Sequence, residues 1–132
     1  MNGFASVVFD CDSTLVRIEG IDELAGPFRE QISALTDAAM RGEVPLQEVY
    51  GRRLALIRPT RAQVDAVGRQ YVQTLVPDAR EVVAALLWLQ KDVRILSGGV
   101  RPAVEAVAAE LGVRLDHVGA VGLRFGASGE YE

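Results

Sequence analysis

Two short apolar runs, residues 5–10 (ASVVFD) and 92–97 (DVRILS), are separated by a long stretch whose apolar residues recur at helical spacing. That order constrains the fold more than any other feature. Strands joined through helices lie parallel, because antiparallel neighbours need only a tight turn. From residue 21 to 57 the pattern is helical, broken at Gly26-Pro27 and at Gly42 with Pro45. Asp22 reads as an N-cap and Pro45 as a first-turn residue. Leu46, Val49, Leu54 and Ile57 form one apolar face. Another helix follows Thr60, with Val64, Val67 and Tyr71 on one side, and a third begins at Pro77-Asp78. In that third helix Val82, Val83, Leu86, Leu87 and Leu89 predict a face laid over a sheet, with Trp88 in the core. Residues 103–111 predict a helix stopped by Gly112, residues 117–121 a third strand, and residues 123–131 a hairpin turning through 126–129. The insertion between the first two strands is too long for a simple crossover. The expected architecture is therefore an α/β parallel sheet formed by residues 1–14 and 76–132, with a helical cap over residues 15–75.

Composition narrows the class. The 132 residues set a prior of one domain, and a hydrophobic fraction of 49% with 24% charged residues excludes disorder. The net charge of −4 is spread evenly along the chain, so no basic arm is available for nucleic acid. No apolar run is long enough to span a membrane, and residues 4–9 are too short for a secretory signal. Cys11 is the only cysteine, which rules out an internal disulfide and a multi-cysteine zinc site. A cytoplasmic protein without nucleic-acid or membrane partners is expected.

Asp10 and Asp12 in FDCDST carry the most chemical information. Side chains two apart on an extended segment share a side, so both carboxylates face one cavity while Cys11 faces away. The carboxyl end of a parallel strand is where open α/β sheets hold ligands. Two carboxylates there repel, which is relieved by a bound cation or by a proton kept on one of them. Magnesium suits such a hard oxygen site. Alone, an Asp-x-Asp pair is most often a solvated turn; its place at the end of an apolar strand, followed by Ser-Thr, argues for function. Ser97-Gly98-Gly99, between a strand and a helix start, offers unobstructed backbone N–H groups and a hydroxyl to a phosphate.

FDCDST followed by Arg17-Ile18-Glu19-Gly20-Ile21-Asp22-Glu23-Leu24-Ala25 resembles the haloacid dehalogenase superfamily of phosphatases, and within it the phosphoserine phosphatase family. The similarity continues through residues 39–45 (AMRGEVP), residues 53–57 (RLALI), residues 95–99 (ILSGG) and residues 129–131 (GEY). The resemblance implies a Rossmann-like parallel sheet with a helical cap inserted after the first strand. It also implies magnesium-dependent hydrolysis of a small phosphomonoester, O-phosphoserine, in serine biosynthesis. Asp10 would be the nucleophile and would bind magnesium with Asp12, whose carboxyl acts as general acid and base. Glu19 would meet the substrate ammonium and Arg53 its carboxylate. Met40 and Arg41 match a cap segment that touches the substrate, and Ser97, Gly98 and Gly99 match the phosphate loop. Arg52, adjacent to Arg53, is left to solvent, Cys11 has no catalytic role, and His117 is a partly buried structural residue.

The family pattern also includes a lysine after the hairpin and then an acidic Gly-Asp-Gly loop, neither of which occurs through residue 132. Lys91, the only lysine, precedes the second strand and lies at the wrong end to substitute. The expectation is a stretch of a longer enzyme or a truncated, inactive form of one, with a first strand left as a free edge. Two alternatives follow: a non-catalytic phosphate- or amino-acid-binding module, and a phosphatase for another small metabolite. The free edge further suggests strand pairing with a second copy, giving a homodimer.

Overall fold

Val93 and Ile95 are buried while Arg94 and Leu96 are exposed, so the central strand alternates between a core face and an open one. The computed structural model describes residues 3–132. Its strands are β1 (Ser6–Phe9), β2 (Asp92–Val100) and β3 (Val118–Val121), all parallel, in the order β1-β2-β3. Val7 is opposite Val93, Phe9 opposite Ile95, and Ile95 opposite Val118, which collects the apolar side chains on one face. Among the described residues β1 pairs only with β2, so its outer edge is free, in line with the expectation drawn from the family pattern.

The helices are α1 (Gly20–Ala25), α2 (Arg29–Met40), α3 (Leu46–Ile57), α4 (Arg61–Gln73), α5 (Ala79–Trp88) and α6 (Arg101–Leu111). Helix α4 starts where the sequence says, because Thr60 and Gln63 form a reciprocal capping box: the Gln63 N–H donates to Thr60 Oγ1 and the Thr60 N–H to Gln63 Oε1. Helices α5 and α6 pack on the core face of the sheet, and α4 lies along α6. Val64, Val67 and Tyr71 of α4 join Val93, Ile95, Val104 and Val107 in one hydrophobic core, so the inserted helices are not separated from the sheet at α4. Helices α2 and α3 pack on each other and on α1.

Four expectations change. Trp88 is 82% exposed, and Val82, Leu87 and Leu89 are also exposed, because α5 turns only Ala79 and Val83 fully inward, with Leu86 partly covered. Helix α1 begins at Gly20 with Glu19 as N-cap, not Asp22, since the Gly20 N–H finds an acceptor in the distant Asp12 carboxylate. Strand β2 runs on to Val100 rather than ending at Ser97, with a register shift between Leu96 and Val100. Residues 123–131 close through one antiparallel bridge, Phe125 to Tyr131, without forming strands. This turn docks on the α3–α4 junction, where Arg58 and Arg61 lie over the rings of Tyr131 and Phe125 and the Arg61 N–H donates to Gly129 O.

Candidate active site

Beyond β1 the chain curls around one carbonyl. The N–H groups of Thr14, Leu15 and Val16 all converge on Cys11 O, at 2.9 to 3.2 Å. Leu15 and Val16 are buried, and the loop is fastened to the end of α4 by Arg17 N–H to Thr74 O and by Val76 N–H to Leu15 O. Cys11 is fully buried in the core, which leaves Asp10 and Asp12 on the opposite side, as alternation requires. Asp10 is exposed at the rim, with Oδ1 held by the Cys11 N–H at 2.7 Å. Asp12 is half-buried and more firmly held. Its Oδ2 accepts from the Tyr71 hydroxyl at 2.6 Å and the Gly20 N–H at 2.9 Å, and its Oδ1 from the Ser97 hydroxyl at 3.4 Å.

Both carboxylates line a cavity of about 300 Å³ with Gly98 and Gly99, while Glu19, Ile21, Tyr50 and Arg53 complete its wall from the helical side. Ser97 stands behind Gly99, accepting its N–H at 2.9 Å. A Cβ at Gly99 would sit 2.7 Å from Asp12 Oδ1, so this position admits only glycine at the present spacing. Glu19 accepts from the Ser13 hydroxyl at 2.6 Å. Arg53 donates through Nη2 to Thr36 Oγ1, but its Nε is buried without a partner. A buried donor left unpaired costs stability.

Of the residues singled out in the sequence, Asp10, Asp12, Glu19, Arg53, Gly98 and Gly99 meet on this one cavity, and Ser97 supports it from behind. Met40 and Arg41 are not brought to its wall. Met40 is 81% exposed beside a smaller neighbouring hollow, and Arg41 is paired in solvent with Glu43 at 2.6 Å. Arg52 pairs with Glu48 on the outer side of α3, and half-buried His117 lies 3.1 Å from Val93 O, far from this chemistry. Lys91 lies just before β2, at the sheet end opposite the cavity. Sequence reasoning missed Tyr50 and Tyr71. Tyr50 is one helical turn before Arg53 and could have been found from that spacing; Tyr71 reads in the sequence only as part of an apolar face.

Three carboxylates face one guanidinium here, and the nearby neutral acids respond. Burial first, then the charges of Asp12, Asp10 and Glu19, pushes the Cys11 thiol up to about 12. Burial and Asp12 likewise raise Tyr50 and Tyr71 above the ordinary tyrosine range, so both hydroxyls stay protonated donors. Because only the thiolate reacts, Cys11 should resist a disulfide reagent in the native protein and label at once in guanidinium. The same shift predicts a pH dependence. In the folded state the thiol keeps its proton above its ordinary value of 9.0, so stability present below pH 9 declines as pH rises toward 12. Urea midpoints measured from about pH 8 to 11 should hold to about pH 9 and fall above it.

The family model for haloacid dehalogenase-like hydrolases matches residues 7–129. The chain is 41% identical over 128 residues to phosphoserine phosphatase of Mus musculus, covering 96% of this chain and 57% of that protein. It thus spans little more than half the length of the curated relative it matches. A phosphoserine phosphohydrolase-like protein from Francisella tularensis superimposes with a TM-score of 0.84 at 23% identity, over 98% of this chain and 63% of the other. A phospho-aspartyl intermediate analogue of phosphoserine phosphatase superimposes with a TM-score of 0.71 at 25% identity, over 98% and 61% of the two chains.

Proposed function

The chain belongs to the haloacid dehalogenase-like hydrolases, and from that premise we propose that it is a cytoplasmic phosphatase acting on O-phosphoserine, with these residues supplying the nucleophile and the substrate contacts. What supports this most is the cavity itself, which puts Asp10 and Asp12 on one side and Glu19 and Arg53 on the other. In this reading residues 15–75 are the cap, and they contribute the amino-acid end of the site.

Asp10 has one oxygen fixed by the Cys11 N–H, and the other attacks phosphorus. As that bond forms, the bond from phosphorus to the seryl oxygen breaks, and Asp12 gives its proton to the departing oxygen. Asp12 then takes a proton from water as the water oxygen bonds to phosphorus and the aspartyl oxygen leaves. Phosphate departs and Asp10 is regenerated. The Gly98–Gly99 segment lies beside both carboxylates, without side chains to obstruct a phosphate.

The donor set fits magnesium. The Asp10 carboxylate and the Asp12 main-chain carbonyl are hard oxygens, and because the described residues form no cluster of three or more His, Cys, Asp or Glu, these two would supply only part of the ion's ligand shell, as magnesium with its retained waters and phosphate oxygens allows. Bound there by Asp10 and Asp12, magnesium would offset the repulsion between phosphate and carboxylate. Phosphate release from O-phosphoserine should therefore require magnesium and stop in chelator. Release that is unchanged in chelator, or no release at all, would contradict the reading.

Arg53 supplies the specificity prediction. Its guanidinium on the cavity wall suits a carboxylate, and losing such a charge-assisted contact costs about 1.5–3 kcal/mol, roughly 10- to 100-fold in affinity. Arg53→Ala should raise KM for O-phosphoserine by that factor. It should change KM for phosphoethanolamine, which lacks the carboxylate, much less. Equal effects on the two would mean that Arg53 does not read the carboxylate.

A further inference from the structure

We propose that Tyr71 is a positioning residue for the general acid, fixing which oxygen of Asp12 carries the transferred proton. The inference rests on the phosphatase reading above and adds a residue that the motifs do not contain. Asp12 Oδ2 is occupied twice, by the Tyr71 hydroxyl at 2.6 Å and the Gly20 N–H at 2.9 Å. Asp12 Oδ1 instead lies against Gly99, on the cavity wall, with only the long 3.4 Å contact from Ser97. With Oδ2 held by two donors, the carboxyl is fixed in one orientation, and Oδ1 is the oxygen presented to a leaving group.

The mount is built by distant parts of the chain. Tyr71 is fully buried on α4, and α4 is set against α6 by close contact of Gly68 with Ala103 and Ala106. The hydroxyl can reach Asp12 only because residue 20 has no side chain: a Cβ at Gly20 would lie 2.2 Å from Tyr71 Oη. Tyrosine at 71 and glycine at 20 thus meet on a single oxygen. A tyrosine there for packing alone would not need its hydroxyl aimed at a carboxylate in the cavity.

A misaimed acid matters most when the leaving oxygen needs a proton. Serine alkoxide is a poor leaving group, whereas p-nitrophenolate departs without protonation. The test is single-turnover release of the leaving group from O-phosphoserine and from p-nitrophenyl phosphate, in magnesium, by wild type, Tyr71→Phe, Asp12→Asn and the double variant. Tyr71→Phe keeps the buried ring and removes only the hydroxyl. It should lose on the order of 10-fold more rate on O-phosphoserine than on p-nitrophenyl phosphate, with KM for both little changed. In the Asp12→Asn background Tyr71→Phe should have no further effect, because it acts through Asp12. Equal losses on the two esters, no loss on either, or a further loss in the Asp12→Asn background would overturn the proposal while leaving the phosphatase reading in place. If wild type hydrolyses neither ester, the phosphatase reading falls and the proposal falls with it. Should Tyr71→Phe unfold, Gly20→Ala provides the same comparison by displacing the hydroxyl from Oδ2.

Discussion

Asp10→Asn should abolish phosphate release without unfolding the protein. The substitution keeps the side chain's shape, and an amide oxygen can still accept the Cys11 N–H now held by Asp10 Oδ1. Asp10 is exposed at the end of β1, so the fold places little weight on its charge. What disappears is the nucleophilic oxygen and one of the two residues that would hold magnesium. A neutral amide does not form the aspartyl phosphate, and loss of both covalent and metal assistance corresponds to a decrease of about 10⁴-fold or more. Thermal denaturation within a few degrees of wild type, with undetectable release from O-phosphoserine, is the expected pair of results. A variant retaining even one tenth of the activity would move the nucleophile elsewhere.

The second large effect is on stability. Ile95 is 1% exposed at the centre of β2, between Phe9 of β1 and Val118 of β3. Ile95→Ala removes methylene and methyl groups from a packed core and leaves a cavity, at a cost of about 2–5 kcal/mol. Against a total stability of about 5–15 kcal/mol, that is a severe loss. The next residue provides the control. Leu96 is 66% exposed on the other face, and Leu96→Ala should stay within about 0.5 kcal/mol of wild type. Urea unfolding of the two variants separates the faces directly. Comparable losses in both would mean that the face carrying Leu96 is covered in solution.

How much of this could be read before the structure depends on the range of the interaction involved. The order of strands and helices, the start of α4 at Thr60 and the shared side of Asp10 and Asp12 follow from local periodicity and capping, and all were legible. The convergence of Gly98, Gly99, Glu19 and Arg53 on the same cavity was legible only through the resemblance, since their separations along the chain reveal no contact by themselves. The misses are tertiary. Asp22 looked like the better cap until Asp12, eight residues before Gly20, was found to accept the Gly20 N–H. Trp88 looked like core because its neighbours are apolar, yet it ends α5 on the side turned away from the sheet. Met40 and Arg41 lie at the far end of α2 and in the turn after it, pointing into solvent or toward Glu43. Tyr71 was legible as a buried face, but its hydroxyl's partner lies 59 residues away.

Chemical trapping tests the central claim most directly. An aspartyl phosphate is an acyl phosphate, and borohydride reduces it to the alcohol, converting that aspartate into homoserine. The chain would be incubated with O-phosphoserine and magnesium, quenched with borohydride, and its peptides sequenced by mass spectrometry. Homoserine at position 10, and only when substrate and magnesium are both present, is the predicted result. Phosphate release with residue 10 recovered as unmodified aspartate, or with the modification on another residue, would contradict the assignment.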